Sequence, residues 1–372
     1  TGSVGKTSTK AILTKVLSAF GKTYSSPKSF NNHLGVPLTL TNIPSNTQYV
    51  VCEIGMNSMG EIEPLSNLAL PDIGIITNIS FAHLAAFDGI MEIAREKSMI
   101  CSGITKNGLL IFSNQAPFIE TILEEVNKKK VRFLTFGSSS NSHLLLKKTS
   151  FHRNKTSVNV IMQGSKDLNL ELNALGYHHA SNCLPVLGAI AEYNLDLNIA
   201  VKHLKSWSPL NGRGKFLNIN FKKNSKDFEI KIIDESYNCN PTSLTACLEM
   251  VKHLSFNDEY IVKKKTIRNI AILGDMLELG IQERKFHREI AELDSINSFD
   301  LIHCVGILME DLYQNLPPSK KGLIVKKPKD LMPYILSNIR DKDIYMVKGS
   351  NSIGLSSIVT ELCNLDGETI SR

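Results

Sequence analysis

The chain has 372 residues, of which 42% are hydrophobic and 21% charged, and its formal net charge is +6. A chain of that length is longer than a single hydrophobic core usually accommodates, so we expect two domains of an ordinary globular protein. Few aromatic residues interleave the short lysine clusters and no apolar run is long enough to span a bilayer, which argues against a nucleic-acid-binding surface and against a membrane helix in these residues.

The seven cysteines form no Cys-x-x-Cys pair and no spacing with histidine that is typical of a zinc site. An odd, scattered set of this kind favours reduced thiols, and hence a cytoplasmic protein. A mild excess of positive charge also suits anionic small substrates.

The first seven residues, Thr-Gly-Ser-Val-Gly-Lys-Thr, precede a helical pattern that runs from Thr9 to Phe20. Glycines at this place let backbone N–H groups converge on an anion at the start of a helix, and we call residues 1–7 the phosphate loop. Lys6 is expected to reach the β- and γ-phosphates of a nucleotide, and the Thr7 hydroxyl to bind Mg²⁺. The other loop residues predicted to bind nucleotide are Gly2, Ser3 and Gly5.

Two parts of the usual nucleotide-loop pattern fall outside the chain. They are a glycine five residues before Gly5 and the strand that delivers the loop. We therefore expect the chain to begin within a domain whose first strand is missing. An ordinary glycine turn before a helix is the alternative interpretation of this string.

Two short apolar runs predict buried strands that end in polar residues. The first, residues 49–52, ends at Glu53, and the second, residues 73–76, leads to Asn78 and His83. The carboxyl ends of parallel strands face the ligand crevice, so Glu53 is a candidate Mg²⁺ ligand and the other two are candidate ligand contacts. The alternatives are a helix-capping or solvated acid and a structural histidine.

Other polar segments of the first half have a structural interpretation as well as a functional one. Asn31 and Asn32, before a Gly-Val-Pro turn, can cap a helix or contact a polar ligand. The helix predicted over 88–101 carries Lys97 and looks like a charged outer face. Residues 138–175 are predicted to form a polar, β-rich segment without catalytic residues. Residues 176–183 are predicted to begin a helix that runs through Tyr193.

Small and turn residues cluster at 208–214 and predict a boundary between domains 1–209 and 210–372. Beyond it, strand and helix patterns alternate, which predicts a mostly parallel sheet. The predicted strands cover 230–233, 269–273, 301–305, 322–325 and 344–347, with helices at 241–254 and 283–293. Polar strings follow the strands at 234–238, 274–278 and 348–350, so one edge of this sheet should face a ligand.

In this order, the motifs resemble those of the Mur ligases of peptidoglycan synthesis, over nearly the whole chain. The matching strings lie at 1–7, 31–39, 53–56, 76–84, 94–97, 234–241, 273–280 and 347–350. The last three strings are similar to those of the family members that add D-alanyl-D-alanine to the UDP-N-acetylmuramoyl tripeptide.

The resemblance implies an α/β fold, with a central P-loop ATPase domain of mostly parallel sheet and a C-terminal Rossmann-like domain. The family's first domain, which binds the uridine nucleotide, would be absent. The implied activity is ATP-dependent amide ligation through an acyl phosphate, with the UDP-N-acetylmuramoyl tripeptide and D-alanyl-D-alanine as partners. We expect a cytoplasmic monomer that binds no nucleic acid.

The resemblance also implies a catalytic set of Lys6, Glu53, His83 and Lys97. Thr7 and Glu53 would hold one Mg²⁺, and His83 and Lys97 a second. Lys97 would act as a carbamate. A lysine of pKa about 10.4 is mostly cationic near neutrality, so burial or nearby positive charge would have to lower its pKa before it reacts with CO₂.

By the same resemblance, the nucleotide would lie against Asn182 at adenine, Arg213 at phosphate and Asp234 at ribose, with Asn78 nearby. The implied substrate contacts are Asn31, Asn32, Tyr237, Asn238, Asp275, Glu278, Lys348 and Ser350.

Three places depart from the family pattern: His179 replaces a usual asparagine, Asn351 replaces a common arginine, and residues 113–117 lack the acids often seen in that turn. The alternative functions are another ligase of this superfamily, such as folylpolyglutamate synthase or a different Mur ligase, and a truncated, non-catalytic nucleotide-binding remnant.

Overall fold

The structure, a computed structural model, describes residues 1–152, 155–164, 167–255 and 267–370. It divides into two compact units, Thr1–Ser208 and Pro209–Arg372. Each unit has its own sheets and its own apolar core, and the predicted α/β fold class is confirmed. Among the described helices, none combines the length and apolar character that crossing a membrane requires.

The first unit alternates helices and strands before a run of four successive strands, which follows its fifth helix. Its elements are α1 (Lys6–Leu17), β1 (Thr23–Ser25), α2 (Gly35–Thr41), β2 (Tyr49–Val51), α3 (Ile62–Ala69), β3 (Ile73–Ile76), α4 (Ile90–Ser98), β4 (Leu109–Ser113), α5 (Ile119–Lys129), β5 (Arg132–Gly137), β6 (Leu144–His152), β7 (Lys155–Met162), β8 (Leu168–Leu172), α6 (Tyr177–Glu192) and α7 (Leu197–Lys205).

Two sheets order these strands. β1 and β2 form a parallel pair, and the strands β3 to β8 form a six-stranded sheet in chain order. Pairing is parallel from β3 to β6 and antiparallel from β6 to β8. Short hairpins replace helical crossovers after β6, which is why the direction of pairing changes there.

The phosphate loop lies beside the carboxyl end of β3. Thr77 N donates to Thr1 O at 2.9 Å, and Ser3 N donates to Asn78 O at 2.9 Å. The helix α1 begins at Lys6 rather than at Thr9, because the last residues of the loop already form its first turn. Its inward face carries the fully buried Ile12 and Val16 of the first core.

The second unit is a single seven-stranded sheet with helices between its strands. Its elements are β9 (Lys215–Lys223), β10 (Lys226–Glu235), α8 (Pro241–Ser255), β11 (Asn269–Gly274), α9 (Glu283–Glu289), β12 (Leu301–Val305), α10 (Met309–Asn315), β13 (Lys321–Val325), α11 (Pro328–Asn338), β14 (Ile344–Lys348), α12 (Ser356–Cys363) and β15 (Thr369–Ile370).

The strand order is β13-β12-β11-β14-β10-β9-β15, and the pairs from β13 to β10 are parallel. β11 is buried along its whole length at the centre, as the crossover helices of a parallel sheet require. The antiparallel strand β9 was not predicted. It joins β10 through Asn224 and Ser225, which both have positive φ (52° and 63°), as in a tight two-residue hairpin turn.

Candidate active site

Two glycines of the phosphate loop lie where no larger side chain fits. Gly2 has φ +151°, and a Cβ there would lie 2.0 Å from Thr77 Oγ1. Gly5 has φ +83°, and a Cβ there would lie 2.5 Å from Asn182 Oδ1. The loop therefore needs glycine for both its conformation and its close approach to neighbours.

Side chains at the end of β3 hold the loop in place. Thr77 Oγ1 donates to Val4 O at 2.5 Å. Ser3 Oγ donates to Ser80 O at 2.9 Å and accepts from Ser80 N at 3.0 Å. Sequence reasoning missed the roles of Thr77 and Ser80, since hydroxyl residues after a strand give no signal of their partners.

Lys6 spans its own loop, with Nζ donating to Gly2 O at 2.6 Å. It also lines a cavity of about 300 Å³ together with Glu53 and Lys10. The predicted phosphate-binding lysine and the predicted metal-binding acid therefore border the same cavity.

Glu53, two residues after β2, is the centre of a buried oxygen cluster. Its Oε1 accepts from Thr7 Oγ1 at 3.1 Å and from Asn31 Nδ2 at 2.8 Å. Ser29 Oγ lies 3.0 Å from Thr7 Oγ1. Only 4% of Glu53 is exposed. The structure thus brings the two predicted ligands of the first Mg²⁺ into direct contact, and it adds Asn31 to them.

The donor set fits a magnesium ion. Glu53 Oε2 and Asn78 Oδ1 are buried oxygens that accept no hydrogen bond from any described residue. Leaving such oxygens unsatisfied is unfavourable, and hydroxyl, carboxylate and amide oxygens are the ligands that Mg²⁺ takes. Thr7 and Glu53, which are in direct contact, therefore offer the chemistry that the predicted ion needs.

Lys97 lies on α4 with 1% of its surface exposed. Burial, and then the positive charge of Lys6, hold the pKa of Lys97 well below its usual value of 10.5. The adjacent Glu96 accepts hydrogen bonds from Gly60 N and Ile62 N at the start of α3, at 2.9 and 2.8 Å. Lys97 is therefore a buried amine whose neutral form is favoured by burial and by the charge of Lys6 in the phosphate loop.

His83 lies three residues beyond Ser80, whose bonds to Ser3 fix the preceding segment against the phosphate loop. It has φ +56° and stands before a 3₁₀ turn at Leu84–Ala86. The segment that carries it is therefore tied to the loop by residues upstream.

Two residues of α6 lie near the predicted nucleotide site. The Asn182 amide rests against Gly5. His179 is buried, and neither of its ring nitrogens has a hydrogen-bond partner among the described residues. Burial, and then the neighbouring His178, hold the pKa of His179 well below 6.5. The residue that replaces the family's asparagine is therefore a neutral polar group.

The two adjacent asparagines have different roles. Asn31 binds Glu53, whereas Asn32 Oδ1 accepts from Leu34 N and Gly35 N at 3.2 and 2.9 Å, at the start of α2. Asn32 therefore caps a helix, which was the alternative that its sequence context allowed.

In the second unit, Asp234 organises the turn before β9. Its Oδ2 accepts from Gly212 N at 2.6 Å, and its Oδ1 accepts from Ser236 N and Oγ at 3.2 and 2.6 Å. The guanidinium carbon of Arg213 lies 3.9 Å from the centroid of the Tyr237 ring. Arg213, in the turn before β9, and Asp234, at the end of β10, are therefore held in one cluster by Gly212 and Tyr237.

Three predicted substrate residues are buried and bound within the protein. Asp275 accepts from Ile307 N and Met309 N, at 2.9 and 2.8 Å. Ser350 Oγ accepts from Leu277 N at 2.9 Å. Lys348 Nζ donates to Asn238 O at 2.9 Å and lies 3.5 Å from Glu235 Oε2. These side chains bind the segments that follow β10, β11 and β12. Tyr237, Asn238 and Glu278, by contrast, are exposed.

The buried His287 was missed by sequence reasoning. Its Nε2 accepts from Met276 N at 2.9 Å, and its Nδ1 lies 2.7 Å from Glu283 O. It therefore holds the loop after β11 from the side of α9. A histidine inside a polar helical stretch gives no sequence signal of this role.

Comparison with known families assigns both units. A model of the Mur ligase middle domain matches residues 1–190. A model described as the glutamate ligase domain of Mur ligases matches residues 221–351.

Among individual relatives, the UDP-N-acetylmuramoyl-tripeptide–D-alanyl-D-alanine ligase of Rickettsia prowazekii is 30% identical, over 96% of this chain and 76% of its own length. The ligase of that name from Bacillus subtilis is 29% identical, over 97% of this chain and 74% of its own. A crystal structure of MurF from Acinetobacter baumannii is similar with a TM-score of 0.83 at 25% identity, and the match covers 98% of this chain and 75% of that one.

Proposed function

The chain belongs to the Mur ligase family, and on that premise we propose that it adds D-alanyl-D-alanine to the UDP-N-acetylmuramoyl tripeptide at the expense of ATP. The observation that carries the proposal is the contact of Thr7 and Asn31 with Glu53 beside the phosphate loop. The relatives that bear this activity in their names support the choice of substrates.

The phosphate loop binds the triphosphate of ATP through its backbone N–H groups, with the Lys6 ammonium as a point charge on the β- and γ-phosphates. Thr7 and Glu53 would hold one Mg²⁺, and His83 and Lys97 would hold a second. Such ions would supply positive charge beside the phosphate oxygens, where negative charge develops.

The tripeptide supplies the nucleophile. Its terminal carboxylate attacks the γ-phosphorus of ATP, giving an acyl phosphate and ADP. The amine of D-alanyl-D-alanine then attacks the acyl carbon, phosphate leaves, and the ammonium proton passes to solvent. Both steps place negative charge on oxygens, and a well-placed donor such as Lys6 stabilises such charge by roughly 2.7–4 kcal/mol.

We propose that Lys97 is carbamylated. Its low exposure and lowered pKa supply the neutral amine that attacks CO₂, and carbamate formation releases one proton. The product is an anionic oxygen donor, which suits Mg²⁺ better than an amine does.

The nucleotide contacts proposed are Asn78 and Asn182 in the first unit, and Arg213 and Asp234 in the second. For the substrates, we propose direct contacts by Tyr237, Asn238 and Glu278. Five further residues are proposed to act indirectly. Asn31 orients Glu53, and the others hold the loops near the substrates; these are Asn32, Asp275, Lys348 and Ser350.

We propose that the protein works as a monomer. A cytoplasmic location agrees with its seven cysteines, which are all unpaired thiols.

Phosphate release from ATP by the protein tests the function. We expect release only when both UDP-N-acetylmuramoyl tripeptide and D-alanyl-D-alanine are present, and Thr7→Ala should abolish it. Release with glutamate and a folate, or with a single amino acid in place of the dipeptide, would assign the chain to another ligase of the superfamily. Binding of ATP without turnover on any of these substrates would favour the nucleotide-binding remnant.

A further inference from the structure

Lys10 is a buried lysine on α1, one helical turn beyond Lys6, and only 7% of it is exposed. Its Nζ donates to Ser26 O at 3.1 Å, to Ser26 Oγ at 3.0 Å and to Lys28 O at 2.7 Å. The same ammonium lies 3.6 Å from Glu53 Oε2. An ammonium taken out of water needs partners of this kind, and here it uses them to join three segments.

These contacts form a closed set around the proposed metal site. Lys10 fixes residues 26–28, and the next residue, Ser29, places its hydroxyl 3.0 Å from Thr7 Oγ1. Thr7 in turn donates to Glu53 Oε1. Lys10 therefore acts on Thr7 through Ser29, and on the carboxylate of Glu53 directly.

The two carboxylate oxygens of Glu53 have different surroundings. Oε1 is engaged by Thr7 and Asn31. Oε2 accepts no hydrogen bond from a described residue, and the Lys10 ammonium lies 3.6 Å from it. A charge at this distance fixes the carboxylate while Oε2 keeps its lone pairs for a cation.

We propose that Lys10 is a positioning residue that orients Glu53 and Thr7 for the Mg²⁺ of the bound nucleotide. The inference rests on the proposed function, because it takes Thr7 and Glu53 as the ligands of that ion. Its hydrogen bonds to Ser26 and Lys28 place Lys10 on the metal side of the site. Lys6 acts on the phosphate side.

Binding of ADP, measured by calorimetry with excess Mg²⁺ and again with EDTA, tests the proposal without turnover. For Lys10→Met we expect about tenfold weaker binding in Mg²⁺, since a loss of roughly 1.4 kcal/mol corresponds to a factor of ten. In EDTA we expect no more than about a twofold change, because the phosphate contacts remain. Lys15→Met, at an exposed lysine of the same helix, should change neither value.

A second variant keeps the test decisive if Lys10→Met fails to fold. Ser26→Ala removes one acceptor of Lys10 and alters no charge. We expect it to weaken ADP binding in Mg²⁺ in the same direction but less, by about two- to threefold, with binding in EDTA unchanged.

Glu53→Gln, measured in the same way, distinguishes failure of the proposed metal ligation from failure of the proposed role of Lys10. If ADP binds Glu53→Gln with its Mg²⁺ dependence intact, the proposed metal ligation itself is wrong. If Glu53→Gln loses that dependence while Lys10→Met and Ser26→Ala keep it, only the role of Lys10 is overturned. Equal weakening of binding in Mg²⁺ and in EDTA would also overturn it, because it would indicate a general structural effect.

Discussion

The Thr7 hydroxyl donates a 3.1 Å hydrogen bond to Glu53 Oε1, across 46 residues of sequence, and both residues are buried. The bond joins the phosphate loop to the end of β2. Asn31 donates to the same oxygen at 2.8 Å, so two donors within the protein fix the acid. A site that is oriented beforehand needs little rearrangement when a nucleotide arrives.

Glu53→Gln tests the charge at the centre of this cluster. Glutamine keeps the size and an acceptor for Thr7 and Asn31, but it removes the negative charge that faces Lys10. We expect phosphate release with both substrates to fall by about 10²–10³-fold, the range seen when one electrostatic stabiliser is lost. Release is measured at saturating ATP and varied Mg²⁺.

The matched control for this change is Glu120→Gln, at an exposed acid of α5. It should leave phosphate release within about twofold of the unmodified protein, as surface substitutions usually do. A comparable loss in both variants, or full activity of Glu53→Gln, would contradict the role of Glu53.

Lys97→Ala tests the carbamate. Lys97 is 1% exposed, so truncation leaves a cavity beside the phosphate loop that can admit a small carboxylic acid. We expect phosphate release to be lost, and to return in part when a short-chain carboxylate is added. The acid would supply the oxygens that the carbamate supplies in the unmodified protein.

The control for rescue is the unmodified protein, which the same carboxylates should not stimulate. A folded Lys97→Ala protein that no acid restores would contradict carbamylation. Unfolding curves in urea establish whether the variant is folded.

The sequence was sufficient to predict β2, β3 and the acid after β2, because short β-branched runs and the phosphate-loop pattern are local signals. It could not assign partners to polar side chains. Asn31 and Asn32 are neighbours in the same string, yet one binds Glu53 and the other caps α2. That difference depends on tertiary contacts, which have no local signature.

The same limit explains the residues that sequence reasoning missed. Lys10 looks like an ordinary helical lysine in the sequence, yet it is buried and bonded to Ser26 and Lys28. The strand β9 was missed because its hairpin turn is Asn-Ser, which lacks the glycine of the strongest turn signals. Family resemblance found the motifs, whereas the contacts between them required the structure.

Asp275→Ala tests whether a predicted substrate residue is a structural cap. Its carboxylate accepts from Ile307 N and Met309 N just before α10, and only 5% of the residue is exposed. Removing such a cap typically costs about 0.5–2 kcal/mol, so we expect the free energy of unfolding in urea to fall by that amount.

The exposed Asp330, in the first turn of α11, provides the comparison, and Asp330→Ala should be milder. Unchanged stability of Asp275→Ala, with a raised KM for D-alanyl-D-alanine, would instead make Asp275 a direct substrate contact.

His287 makes the loop after β11 sensitive to acid. Its Nε2 accepts from Met276 N, which requires the neutral ring. Burial lowers its pKa below 6.5, and this outweighs Glu283, Asp275 and Asp311, which raise it. An unfolded chain takes up the proton near pH 6.5, whereas the folded chain resists it until a lower pH.

The stability that His287 contributes is therefore complete above about pH 6.5 and is lost as the pH falls towards its lowered folded pKa. We expect the free energy of unfolding to drop more steeply between about pH 7 and pH 5 in the unmodified protein than in His287→Gln, which cannot titrate there. The other buried histidines, such as His303, are present in both proteins and cancel in the difference. Equal slopes would show that the ring does not hold the loop as a neutral acceptor.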